Sequence, residues 1–367
     1  MPGENNPPPG GRARQFCLFC LQSLCINKTR ICFRRYAVSR PALPTRRHFI
    51  AGLASLVAGG LAAPRIARAA DNPSELRIDY ATYNPVGLLI RDKGWLEDEL
   101  KADGIAVRWV QSLGSNKALE FLNAGSIDFG STAGAAALVG RVNGNPIKAV
   151  YVYSRPEWTA LVTRPDTGIA SVADLKGRRV AATRGTDPHI FLIRALASAG
   201  LKEKDVVLVP LQHGDGKAAL IRGDVDTWAG LDPIMAGAEV ENGAKLFFRD
   251  PALNSWGVLN VREAFAAAHP ELVRRVLAVY EKGRQHALAN PADLKQSLIA
   301  AAKLPDAVIE RQLTRTNLST GTIGDAQRQT LVAAGQALQG AGVIKAEIDV
   351  PAAVNGLIDP RFGTQTQ

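Results

Sequence analysis

The chain has 367 residues and a formal net charge of +10, with 44 Lys+Arg against 34 Asp+Glu. The excess sits at one end: residues 1–69 hold 11 of the basic residues and a single acidic one, Glu4, so 33 of each remain from Ala70 onward. A near-neutral body carries no basic stripe for nucleic acid or an anionic membrane, and all four cysteines (Cys17, Cys20, Cys25, Cys32) precede Ala70, which removes disulfides, thiol nucleophiles and cysteine-based metal sites from the body of the chain.

Taken in order, the chain first shows Thr45-Arg46-Arg47-His48-Phe49-Ile50, a Gly/Ala-rich apolar run to Ala63, and Ala67-Arg68-Ala69. Paired arginines, a modest apolar run and an A-x-A site resemble a twin-arginine export signal cleaved near Ala69. The run 49–63 is short of the roughly 20 residues that span a bilayer. Residues 1–69 are therefore expected to be a leader, and the mature chain to be soluble and periplasmic. Residues 1–37 exceed what a signal needs, and translation from a codon such as that of Val38 would leave one of ordinary length. The single C-x-x-C in this stretch, followed by cysteines five and twelve residues on, lacks the second close pair of a zinc site.

From residue 70 the pattern alternates strand and helix. Residues 76–81 alternate as a strand, Thr82-Tyr83-Asn84-Pro85 turns the chain into a helix near Val86, and a helix around 97–102 precedes a strand at 105–110. Gly114-Ser115 opens a helix at 116–123, and Ile127-Asp128-Phe129-Gly130 reads as a strand end. Ser131-Thr132-Ala133-Gly134 then reads as a turn into a helix at 135–142. Such an alternation implies a parallel sheet whose loops gather at the carboxyl ends of its strands. The first N–H groups of a helix have no internal partner and lie at the positive end of its dipole. The Ser131–Thr132 turn is thus suited to a small anion.

Residues 147–153 are strongly β, and Arg155-Pro156 and Arg164-Pro165 bracket residues 158–163, the expected first crossing between domains. A second α/β unit comes next: strands at 179–183, 206–210, 225–228 and 246–248, and helices at 188–199, 216–222 and 233–241. Residues 255–261 are the expected crossing back. The helix 271–288 carries a stripe of Leu272, Val273, Val276, Leu277, Val279 and Tyr280 expected to pack on the first domain. Helices after Pro291, Pro305 and Asp325 complete the chain. The expected division is 74–156 plus 257–362 for lobe one and 157–256 for lobe two.

Two further βα turns, 182–189 (Ala-Thr-Arg-Gly-Thr-Asp-Pro-His) and 226–233 (Asp-Thr-Trp-Ala-Gly-Leu-Asp-Pro), join Gly125-Ser-Ile-Asp-Phe-Gly-Ser-Thr132 and Ser171-Val-Ala-Asp-Leu-Lys-Gly177. Together, over residues 74–362, they resemble the periplasmic substrate-binding proteins of the nitrate/sulfonate/taurine group of ABC importers, most like the aliphatic-sulfonate binders. The resemblance implies an α/β fold of two lobes, type II-like, with two crossings and a ligand cleft between them. It implies a monomer that binds a small anion without cofactor or metal and delivers it to membrane permease subunits. It places Ser131 and Thr132 on the ligand head from lobe one, Gly185 and Thr186 from lobe two, and Tyr83, Asn84, Asp187, His189, Trp228 and Asp232 around the pocket. Trp228 reads equally well as core, and Asp232 before Pro233 as a helix cap.

The chain departs from the sulfonate pattern at Asp187 and at Leu231-Asp-Pro-Ile234. A carboxylate 4 Å from a sulfonate at an effective dielectric near 20 would cost on the order of 4 kcal/mol. Asp187 is therefore expected to cap the helix at Pro188, the alternative being a partly cationic ligand. Taurine, nitrate or another small nitrogen or sulfur compound remains open as the ligand. An enzyme on the same fold is the competing class, but His189, His213, His269 and His286 stand in no catalytic or metal spacing. His213-Gly-Asp-Gly216 reads as a loop. A transcriptional effector domain would need a helix-turn-helix where the export signal stands.

Overall fold

The computed structural model describes residues 72–362. The export-signal and cysteine readings lie outside the described residues. Strand and helix alternate as the apolar periodicity demands, giving β1 (Glu75–Tyr80), α1 (Pro85–Lys93), α2 (Trp95–Leu100), β2 (Ala106–Gln111), α3 (Ser115–Asn123), β3 (Phe129–Ala133), α4 (Gly134–Val142) and β4 (Ile147–Pro156). After a crossing come β5 (Leu161–Thr163), β6 (Arg179–Ala182), α5 (Asp187–Ser198), β7 (Val207–Pro210), α6 (His213–Arg222), β8 (Thr227–Ala229), α7 (Ile234–Asn242) and β9 (Lys245–Phe248). The chain returns through β10 (Gly257–Arg262), α8 (Glu263–Ala268), α9 (Pro270–Ala289), α10 (Pro291–Ala302), α11 (Asp306–Leu313), β11 (Thr316–Asn317), α12 (Asp325–Gly340) and α13 (Val350–Leu357).

These strands form two sheets. The first has the order β11-β4-β10-β3-β1-β2 and the second β7-β6-β8-β5-β9. β1 runs parallel to β2 and β3, as the βαβαβ alternation requires, whereas β10 returns antiparallel to both β3 and β4. Sheet one carries one large apolar core, and sheet two is covered by a separate apolar cluster on each face. The stripe on α9 is buried as its spacing predicts. Gly283 lets that helix approach α1, since a Cβ there would lie 2.8 Å from Ile90 Cγ1.

Three local readings change. Ser131 and Thr132 lie inside β3, not in a turn, because β10 pairs with the strand through Ala133. His213-Gly-Asp-Gly216 forms the first turn of α6 and not a loop. β4 runs on to Pro156, the stretches read as crossings contain β5 and β10, which pair within the sheets, and α8, β11 and α13 are additional to the expected elements.

Candidate ligand-binding site

The loops at the carboxyl ends of the strands in the two sheets face one another. Two narrow cavities of about 10 Å³ each, room for about one water molecule apiece, lie there, sharing Tyr83 and Trp158 as walls. Ser115, Thr186, Asp187, Pro188 and Leu231 complete the first cavity; Pro156, Asp232, Gln312, Arg315 and Thr316 complete the second. The rings of Tyr83 and Trp158 meet edge to face, with centroids 5.9 Å apart.

Behind the Tyr83 wall is a buried polar network centred on Asp79. The Ser131 N–H and hydroxyl both donate to Asp79 Oδ1 at 2.8 Å, and the Ser112 hydroxyl donates to Oδ2 at 2.6 Å. Burial pushes the Asp79 carboxyl up to about 7 against these bonds. Asn84 caps α1 by accepting from Gly87 N–H, and its Nδ2 donates to Ser131 Oγ at 2.7 Å. The Tyr83 hydroxyl donates to the Ser131 carbonyl at 3.0 Å, and Thr132 Oγ1 accepts from Asn260 at 2.8 Å. Ser131 and Thr132 thus brace the wall from within the sheet. The anion that the Ser131 donors hold is the protein's own carboxylate.

On the facing side, Gly185 adopts φ +76°, which sets the turn before α5. The Thr186 hydroxyl donates to the Thr183 carbonyl at 2.6 Å and makes no cap bond. Asp187 does not cap α5. Its carboxylate accepts from Trp158 Nε1 at 2.7 Å, Ser255 N–H at 3.0 Å and Ser255 Oγ at 2.7 Å. It therefore fastens α5 to both crossing segments, and burial holds its carboxyl above the usual range. Ser255 Oγ also accepts from Ala135 N–H at the start of α4, so the positive end of that helix reaches Asp187 through one hydroxyl.

Of three further expected wall residues, His189 and Trp228 lie outside both cavity linings and Asp232 lies in one. His189 hydrogen-bonds Glu203 at 2.8 Å and is absent from both cavity linings. Trp228 is fully buried in the core against α6, where a Cβ on Gly216 would lie 2.6 Å from its Nε1. Asp232 accepts from Ala236 N–H at 2.9 Å, as a helix cap does, and also lines the second cavity through an ion pair with Arg315 at 3.2 Å.

A family model described as NMT1/THI5 like matches residues 88–294, more than half of the chain. The chain belongs to the NMT1/THI5-like family. Its relatives include an Escherichia coli protein named for aliphatic sulfonates binding, 32% identical over 229 residues, which are 62% of this chain and 71% of that one. A Bacillus subtilis protein of the same name is 29% identical over 267 residues, 70% of this chain and 79% of that one. Among solved structures, the alkanesulfonate-binding protein SsuA from Xanthomonas axonopodis pv. citri, bound to MOPS, matches with a TM-score of 0.70 and 25% identity. The match covers 77% of this chain and 98% of that one. The fold is that of the periplasmic binding proteins, α/β and two-lobed with the cleft between the lobes.

Several cleft residues of this NMT1/THI5-like chain escape a reading from sequence. Ser115 follows Gly114 in a βα turn of the same kind as those around Tyr83 and Thr186, so the signal for it was present. Trp158 stood in view only as part of a crossing. Arg315 and Ser255 give no local signal, because their partners Asp232 and Asp187 lie 83 and 68 residues away in sequence. Among the described residues no group of His, Cys, Asp and Glu is arranged to hold a metal, and no helix is long and apolar enough to cross a membrane.

Proposed function

We propose that this protein is the solute-binding component of an ABC importer. It captures a small organic anion, foremost an aliphatic sulfonate, between lobes 74–156 plus 257–362 and 157–256, and delivers it to a membrane permease. The supporting observation is the cavity between the two sheets. Tyr83, Trp158 and Leu231 offer apolar surface for a short alkyl chain once the cleft opens, and Ser115 with Thr186 at the start of α5 offers polar contacts. The names of the relatives support the same reading. Binding stabilises a closed form through rotation about the two crossings, which is the state the permease receives. In this reading the protein reaches the periplasm through the twin-arginine leader and works as a monomer without cofactor.

Isothermal titration with butanesulfonate, taurine and nitrate tests it. Micromolar binding of an alkanesulfonate is expected, with a change in Trp158 fluorescence as the cleft closes. No heat with any of the three would remove the proposal.

A further inference from the structure

A third cavity lies where the chain passes between the two sheets, and its volume of about 400 Å³ falls within the roughly 300–1,000 Å³ of small-molecule sites. Its walls come from both sides of the molecule. Arg155 near the end of β4 and Gln329 and Thr330 on α12 belong to the six-stranded side, and Arg194 on α5 and Pro251 belong to the five-stranded side. The cavity shares Pro156 with the second cleft cavity. It also includes Ser255, whose Oγ donates to Asp187 in the wall of the first. The crossing segments thus separate it from the cleft.

The polar groups around this cavity are unbalanced. No carboxylate lines it. The Arg155 guanidinium makes no hydrogen bond or ion pair among the described residues and lies over the Trp256 ring, 5.0 Å from its centroid. Arg194 spends one N–H on the Leu253 carbonyl at 3.0 Å; the carboxylates that act on it, Asp187 and Asp250, lie beyond ion-pair distance. It is half-buried, and burial pulls its pKa below the ordinary guanidinium value. The neutral groups are already committed. Thr330 donates to the Ala326 carbonyl at 2.9 Å, Ser255 Oγ to Asp187 at 2.7 Å, and the Asn254 side chain accepts from Thr159 N–H and donates to the Asp250 carbonyl. What remains unspent is N–H, on the forks of two guanidinium groups and on the Gln329 amide.

A wall of free N–H donors with two uncompensated positive charges is complementary to oxyanions, which a guanidinium grips through two parallel bonds. Two forks suit two oxyanion groups, and the volume leaves room for the carbon skeleton that joins them. We propose that this cavity is a second binding site, separate from the cleft, for an organic anion that carries at least two carboxylate or phosphate groups and is held between Arg155 and Arg194. The site does not depend on what the cleft binds.

Calorimetry with citrate, fructose 1,6-bisphosphate and acetate tests it. Citrate or the bisphosphate should bind at least tenfold more tightly than acetate, and whichever of the two binds tells carboxylate from phosphate recognition. That affinity should fall at least tenfold in Arg194→Gln and in Arg155→Gln. Arg155 is exposed and its guanidinium touches only the Trp256 ring, so the second variant keeps the fold. In the wild-type protein the same anion should shift the indole N–H resonance of Trp256, a readout that needs no variant. Heat with neither polyanion, an unchanged affinity in Arg155→Gln, an unmoved Trp256 resonance at saturation, or displacement of the anion by butanesulfonate would overturn the second site. Failure of butanesulfonate to bind at all would instead remove the cleft reading and leave this site to stand on its variants and on Trp256.

Discussion

Asp79 has no cation within ion-pair distance among the described residues; it faces Ser112, Ser131 and the phenol of Tyr83. Its carboxyl titrates at about 7 in the folded chain against an ordinary 3.8, so between these values the folded state keeps a proton that the unfolded state has released. Stability from this group is therefore greatest below about pH 4 and is lost as pH rises to about 7, by an amount on the order of 4 kcal/mol. Asp79→Asn keeps the acceptor for Ser131 and removes the titration. The difference in urea-unfolding free energy between variant and wild type should shift in favour of the variant from pH 4 to pH 7, and then stay constant. A difference that does not vary with pH would show that the carboxyl is not protonated in the fold.

Among elements, β3 shows where sequence reading stops. Hydroxylated and small residues look like a turn locally, but Thr132 pairs with Val258 and Ser131 with Leu259, so tertiary pairing extends the strand. The order of strands and helices was legible because apolar alternation and helical stripes are local. Proline punctuation placed the starts of α10 and α11, and Asp325 that of α12, within a residue. The cap made by Asp232 was legible from Pro233 beside it, whereas its ion pair with Arg315 and the contacts of Asp187 were not, because those partners come from other elements. Trp228 was ambiguous for a related reason: a tryptophan at a strand end suits a pocket wall or a core, and only the packing of α6 decides between them. That packing depends on Gly216, where an added methyl would sit 2.6 Å from Trp228 Nε1 and 2.7 Å from Cδ1. Gly216→Ala gains helix propensity yet should lose about 1–3 kcal/mol net, measured by denaturant unfolding, because both the ring and the helix are fixed by their neighbours.

Across the whole molecule the lobes are joined by more than their crossings. Arg315, from the six-stranded side, is 8% exposed and reaches Asp232 and Glu239 on the other lobe, while Arg311 also contacts Glu239 at 3.3 Å. Arg315→Ala would leave two carboxylates adjacent in a buried interface, which should cost about 3–5 kcal/mol. The variant should also favour separated lobes, seen as a larger radius of gyration by small-angle scattering without ligand. An unchanged radius would mean that these contacts do not hold the lobes together.

The two crossing segments run side by side. Thr159 N–H donates to Asn254 Oδ1 at 2.9 Å, and Arg249 grips Glu157 through two bonds of 2.8 Å. The chain thus leaves the six-stranded body and re-enters it at nearly one point, so residues 157–256 have the topology of an insert. Such a segment can be exchanged for its counterpart from a relative while the host sheet keeps every one of its own strand pairings, and the graft carries Thr186 and Asp187 with it. On the binding function proposed above, ligand preference is divisible, with one part inherited through the host and the other through the cassette.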